Sequence, residues 1–317
     1  MTTPVSNPSP ARLTVLTALA PVSWGTTYLV TTEFLPPGIP LLSAVIRLLP
    51  AGLCLVLVAR VLPRGRWWWR SAVLGTLNIG AFNALLFVAA YRLPGGVAAT
   101  LTAVQPLLVA AIGYLVLRDR PTGWRLGWGA AGVAGVGLMV LRGPVGFDAV
   151  GLLAGIAAAA SMATGIVLTR RWGRPEGVGT LAFTGWQLTA SGLLLTPVAL
   201  AAEGLSPVPD AAAWGGYAWL AVVGTAIAYV LWFGGLGRLP VAAVSFLPLL
   251  SPAVATLLGL VVLGETLTPP QCAGFVLALL AIAAAQTTPA IARERFRRHI
   301  RPTAGTPAAE STEEIAR

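Results

Sequence analysis

The chain has no lysine and very little charge of either sign. Only 10% of its 317 residues are charged, against about 25% in a typical soluble domain. With 56% hydrophobic residues and a mean hydropathy of +0.79, there is too little polar surface to cover a water-exposed body of this size. Lipid must supply much of its surroundings. Cysteine is limited to Cys54 and Cys272, each inside an apolar run, and histidine to His299 in the tail. This excludes a disulfide framework and leaves no ligand set for a metal. The two thiols are expected to behave as small hydrophobes. No Gly-rich phosphate loop of the P-loop type is present, so nucleotide-driven work has no machinery here. The apolar runs also lack a nucleophile with a base, or clustered carboxylates, which argues against an enzyme. No cofactor is expected. The net charge of +10 is carried by 21 arginines. Nucleic-acid binding would need these on one basic face, but they fall in short clusters between apolar runs, so no nucleic-acid partner is expected.

What is present is a repeat. Arg92-Leu93-Pro94 opens an apolar stretch that holds Pro106 and ends at Asp119-Arg120-Pro121-Thr122. A shift of 146 residues gives a second copy. Arg238-Leu239-Pro240 leads a stretch that holds Pro252 and ends at Glu265-Thr266-Leu267-Thr268. Gly113 and Gly259 match in the same register, without a gap. A proline-interrupted apolar segment at corresponding places in two halves is the best sequence pointer to a transporter's binding site.

Ten apolar runs are predicted. The first is Leu13 to Thr32; the others lie near 40–60, 71–91, 96–117, 124–141, 149–169, 179–201, 212–235, 241–263 and 270–288. Each is close to the roughly 20 residues that cross a bilayer. Ala18-Leu19-Ala20 resembles a signal-peptidase site, but only Arg12 precedes it and the apolar run continues well past it. The fold class is therefore all-α integral membrane, with ten transmembrane helices as two five-helix repeats. Five is odd, so the second repeat is inverted relative to the first. The expected organisation is a disordered N-terminal tail over 1–11, a first repeat over 12–142, a second over 148–288, and a basic then disordered tail over 289–317. Arginines mark one side: Arg12; Arg60, Arg64, Arg66 and Arg70; Arg118, Arg120 and Arg125; Arg170, Arg171 and Arg174; Arg238; and six in the C-terminal tail. The other side has Arg92 and Arg142 with Glu33, Asp148, Glu203, Asp210 and Glu265. The positive-inside rule then puts both termini in the cytoplasm. Trp67-Trp68-Trp69, between Arg66 and Arg70, reads as an aromatic anchor at headgroup level. Pro289 to Arg301 reads as a basic segment lying against anionic lipid.

The echo between halves reaches further. Ser23-Trp24-Gly25-Thr26 corresponds to Ser161-Met162-Ala163-Thr164, Arg47 to Gln187 at a shift of about 140, and Asn83 and Phe87 to Tyr229 and Phe233. The ten runs, the Trp24-Gly25 pair, the lone Arg47, the Pro106 and Pro252 spans and the acidic turns at Asp119 and Gly264-Glu265 together resemble the drug/metabolite transporter superfamily. Within it they are similar to the EamA-type exporters with two five-helix repeats. The first half departs from the usual Gly-Glu turn, having Arg118-Asp119. The resemblance implies a multi-pass protein of the cell inner membrane that exports small polar metabolites, such as amino acids or related compounds, by alternating access. Import, drug efflux and a non-transporting scaffold or sensor stay open at this point, as does a homodimer.

Arg47 is the one charge placed well inside a run. A charge there costs roughly 2.5 kcal/mol or more on insertion scales, which makes it a functional candidate. It could receive an anionic group of a solute, or serve as a structural pin on helix carbonyls. Trp24 and Tyr28, four apart, share a helix face. With Asn83, Gln105, Gln187 and Tyr229 they are the candidates for lining a cavity, although polar groups at this depth can also join helices. Asn78, Thr102, Thr225 and Ser245 are of the same kind. Pro106 and Pro252 each remove a backbone donor and free a carbonyl, and are candidate hinges. No Asp or Glu lies well inside a run. That favours facilitated, gradient-driven movement over proton antiport, which uses membrane-embedded carboxylates, though Glu33 could titrate at the end of the first run.

Overall fold

The computed structural model describes residues 9–92, 101–140, 148–205, 209–262, 264 and 266–286, without the side chains of Tyr28, Thr32, Phe87, Ala90, Tyr91, Met139 and Val140. Pro94, Glu265, Phe87 in its side chain, and the basic C-terminal segment with its lipid-facing role lie outside that description.

Ten helical spans run through it. They are α1 (Pro10–Phe34), α2 (Pro40–Ala59), α3 (67–92), α4 (Leu101–Leu117), α5 (Gly123–Val140), α6 (Ala149–Trp172), α7 (Thr180–Glu203), α8 (Ala211–Leu236), α9 (Val241–Val262) and α10 (Pro269–Ala285). No strand occurs among the described residues. Outward-facing Leu57 (73% exposed), Leu115 (68%), Leu153 (68%) and Val261 (71%) sit on four different helices. Bare leucine and valine on several helices need lipid around them.

Two boundaries differ from the sequence expectation. α1 begins at Pro10, inside the stretch expected to be disordered, because Ser9 caps it by accepting from the Arg12 N–H at 3.4 Å and proline suits the first helical turn. The tryptophan triplet is the first turn of α3 rather than a lead-in to it. Trp68 and Trp69 stay exposed, but Trp67 turns inward to meet Phe183 edge-on at 5.8 Å.

The 146-residue shift is visible in the backbone. α3 widens into a π-turn over Thr76–Gly80, and α8 does so over Val222–Ile227. The two begin 146 residues apart. α4 breaks at Val104 and resumes at Gln105. α9 runs as Val241–Val244, a 3-10 turn Leu247–Leu249, and Leu250–Val262. Pro106 and Pro252 therefore lie in the first turn of a resumed helix. There the missing N–H has no intrahelical acceptor to lose.

Packing pairs equivalent helices across the halves, α2 with α7 and α5 with α10. The first helices are exchanged. α1 lies on α8 and α9 of the second repeat, while α6 lies on α3 and α4 of the first. Gly25 makes one of these contacts, since a Cβ there would come within 2.5 Å of Val254 Cβ and 2.8 Å of the Ser251 carbonyl oxygen. The small residue lets α1 approach the broken part of α9.

Side chains join the helices at both ends. At the arginine-rich end, the Trp186 indole N–H donates to the Val61 carbonyl at 2.7 Å. There too, the Arg70 guanidinium lies over the rings of Trp67, Trp69 and Trp172 at 5.1–5.7 Å. At the acid-bearing end, both carboxylate oxygens of Glu203 accept from the N–H groups of Leu41 and Leu42 at 2.8 Å. They cap the start of α2 from another helix, where its dipole favours negative charge.

A candidate solute site where the repeats meet

The polar face of α2 sets the geometry. Ser43 and Arg47 are one turn apart and share a face toward α8. Ser43 Oγ is 2.9 Å from the Tyr217 hydroxyl in a buried contact. One turn further in, Arg47 lies within electrostatic reach of the Tyr229 hydroxyl. It keeps part of its surface accessible and has no acidic partner among the described residues. A guanidinium about 10 Å of helix rise from the start of its helix, turned toward the other repeat, does not sit as a residue reaching out to a membrane face would.

Tyr229 follows the second π-turn and is 4% exposed. Its register partner Asn83 follows the first π-turn and donates to the Ile79 carbonyl at 2.6 Å. The Asn83 amide also reaches the Tyr229 phenol. Residues at the same place in two inverted repeats thus interact, within electrostatic range of Arg47.

Trp24 closes one side. Its ring centroid is 5.2 Å from that of Tyr229 and 5.4 Å from that of Trp232. Its indole N–H donates to the Gly224 carbonyl at 3.1 Å, inside the second π-turn. Ser161, from the exchanged first helix of the other repeat, donates to the Leu77 carbonyl in the first π-turn at 2.9 Å. Widening a helix to the i→i+5 pattern disturbs its bonding, and each π-turn takes a donor from the other half. From Tyr229 an aromatic column continues through Phe233 (5.9 Å, stacked) and Phe183 (5.9 Å, edge-on) toward Trp67 at the arginine-rich end.

Of the sequence-predicted residues, Arg47, Trp24, Asn83 and Tyr229 come together. Gln187 is completely enclosed instead. It bonds the Phe183 carbonyl at 3.3 Å and faces the Asn78 amide at 3.5 Å, in a buried group that includes Thr169. Gln105, 3% exposed, starts the resumed part of α4, and its Nε2 finds no partner among the described residues. The side chain of Tyr28 lies outside the description. Sequence reasoning did not single out Trp232 or Phe183, because a ring in an apolar run looks like any other core residue. It also missed the π-turns, although the 146-residue register already aligned the segments that hold them.

Ten apolar helices in two inverted repeats, with a cationic and aromatic cluster where the repeats meet, define a multi-pass membrane transporter. The chain belongs to the EamA-like transporter family, whose sequence profile matches residues 12–141 and again 149–285. This is the group of the drug/metabolite transporters that the paired motifs resemble. It is similar to Protein PecM of Dickeya dadantii (strain 3937), 43% identical over 276 residues that cover 87% of this chain and 93% of that protein. It is also similar to the uncharacterized inner membrane transporter YedA of Escherichia coli (strain K12), 28% identical over 253 residues covering 78% and 81%. A solved crystal structure 21% identical in sequence shares the fold, with a TM-score of 0.74 over 86% of this chain and 97% of that one.

Proposed function

We propose that the protein is a secondary transporter that exports small polar metabolites, amino acids or related compounds among them, by alternating access. The observation that carries this reading is the interaction of Asn83 with its repeat partner Tyr229 within electrostatic range of Arg47, which has no acidic partner among the described residues. In an inverted-repeat transporter the solute site lies at the repeat interface near the midplane. Arg47 is the group for a solute carboxylate, Asn83 and Tyr229 supply hydrogen bonds, and Trp24 forms an apolar wall. Pro106 and Pro252, at the breaks of α4 and α9, act as hinges. The arginine distribution supports cytoplasmic termini, and the name of the YedA relative supports the inner membrane.

The test is flux of a labelled amino-acid panel through the purified protein in proteoliposomes, with and without a pH gradient. Saturable flux indifferent to the gradient is expected. Arg47→Ala and Asn83→Ala should each lower it at least about tenfold, as loss of a charge-assisted or buried hydrogen bond does, while size-exclusion profile and helicity stay unchanged. Unaltered flux in both variants would sink the site. No flux for any member from folded protein would favour a scaffold or sensor, and flux of cationic drugs alone would favour drug efflux.

A further inference from the structure

At the arginine-rich end, α4, α6 and the link from α8 to α9 line an open concavity of about 690 Å³. Its polar wall is Asp119, Arg170, Arg171 and Arg238, three cations to one acid, and Leu117 and Val241 add apolar surface. Arg170 donates to the Gly237 carbonyl at 2.8 Å and Arg171 to the Val116 carbonyl at 2.7 Å. These bonds hold both guanidinium groups against helix ends, yet each uses one donor of the five that arginine carries.

Arg238 differs from its register partner. At the opposite end Arg92 pairs with Asp148 at 3.5 Å. Asp148 is the N-cap of α6, the first helix of the second repeat, and the N-cap of α1 is the neutral Ser9. Among the described residues the pairing that neutralises Arg92 has no counterpart, and no acid lies within 4.0 Å of Arg238. Its charge faces the concavity.

The concavity also borders a second space. Leu117, Asp119 and Val241 line a narrow crevice as well, about 20 Å³, that runs between α4 and α9 as far as Pro106. The basic mouth therefore shares a wall with the seam between the two proline-broken spans. Arg47 lines neither space.

We infer that this mouth is a loading site for solutes of net negative charge, carried by a carboxylate or phosphate that no ammonium group of the solute balances. This rests on the transport function proposed above and narrows its substrate class to small anions and anionic zwitterions. Clustered positive charge at a cleft raises the local concentration of anions, and Arg47 offers a second cationic station further in. A lipid headgroup carries the same phosphate chemistry, and basic pockets between membrane helices bind such groups. The wall shared with the α4–α9 seam favours a solute, since a headgroup would only block the seam.

The experiment uses full-length protein in phosphatidylcholine vesicles, with glutamate and its near-isosteric amide glutamine as paired probes and inorganic phosphate as competitor. Glutamate is expected to show the lower KM, with the difference narrowing at high salt. Arg238→Gln should raise the glutamate KM about tenfold, the size of one charge-assisted hydrogen bond, and leave kcat and the glutamine KM unchanged. Arg238→Lys should restore most of the effect. A KM unchanged, or raised equally for both solutes, overturns the assignment. An advantage for glutamate seen only after anionic lipid is added would make a headgroup the occupant, and the solute assignment would fall. Quenching of native tryptophan fluorescence reports binding separately, Trp172 being next to Arg171. Quenching by glutamate and phosphate that Arg238→Gln weakens, with no flux of either solute, would remove the transport reading and the loading role together and leave an anion site. Absence of both quenching and flux would remove the site as well.

Discussion

Asn83 and Tyr229 are the same position of one motif, used twice and placed in contact. An amide and a phenol differ greatly in volume, so an exchange of the two tests whether they share one space. Asn83→Tyr alone would crowd the interface, and Tyr229→Asn alone would leave a hole beside Arg47. Each should lower thermal stability by about 1–3 kcal/mol, as over-packing and cavity formation do. The exchanged pair Asn83→Tyr/Tyr229→Asn should recover at least half of the summed loss. Thermal unfolding in detergent, read as a double-mutant cycle, measures this, and additive losses would mean that the two side chains do not share a space. At this scale the sequence marks Arg47 as a candidate, because a charge inside an apolar run has few physical excuses. Gln187 was read by the same logic as a cavity residue, yet it is sealed among Asn78, Thr169 and Phe183. An amide in an apolar run looks the same in sequence whether it lines a space or joins helices. Only its neighbours on α3 and α6 decide, and those are remote in the chain.

Each element carries its own irregularity, and the two halves carry it at the same register. The proline-broken spans were readable because proline announces itself. The π-turns of α3 and α8 were not, since one extra residue in a uniformly apolar turn leaves no mark in the hydrophobic pattern. Their neighbours show why they persist, with Trp24 and Ser161 each bonding a carbonyl inside one. Gly25 belongs to this scale too. Beside Trp24, it lets α1 press onto α9 where Pro252 has broken the helix. Gly25→Ala puts a methyl against Val254 Cβ and the Ser251 carbonyl oxygen, and a backbone oxygen has little room to give. We expect a loss of about 1–3 kcal/mol, seen as a lower melting temperature, together with slower flux. Wild-type melting and flux in this variant would mean that the α1–α9 contact is loose.

For the whole molecule, the sequence predicted ten spans, two inverted halves and one arginine-rich end, because lipid imposes length and arginine imposes side. It did not reveal which helices pack together. The proposed alternation of access requires α4 and α9 to part along the crevice lined by Ala110 and Ala242. With Cys54 and Cys272, both exposed, replaced by alanine, Ala110→Cys/Ala242→Cys joined by a short cleavable thiol crosslinker should lose flux and regain it on cleavage. Full flux from crosslinked protein would place the moving parts elsewhere. The exchange of first helices has a further consequence, for biogenesis. α1 packs on α8 and α9, so it leaves the ribosome with some two hundred residues still to be made before its partners exist. α6, by contrast, emerges after α3 and α4 and finds them waiting. The N-terminal half alone should therefore insert but leave its first helix unseated, and the π-turn of α3 without its Ser161 donor, until synthesis of the second half delivers the receiving surface and the donor.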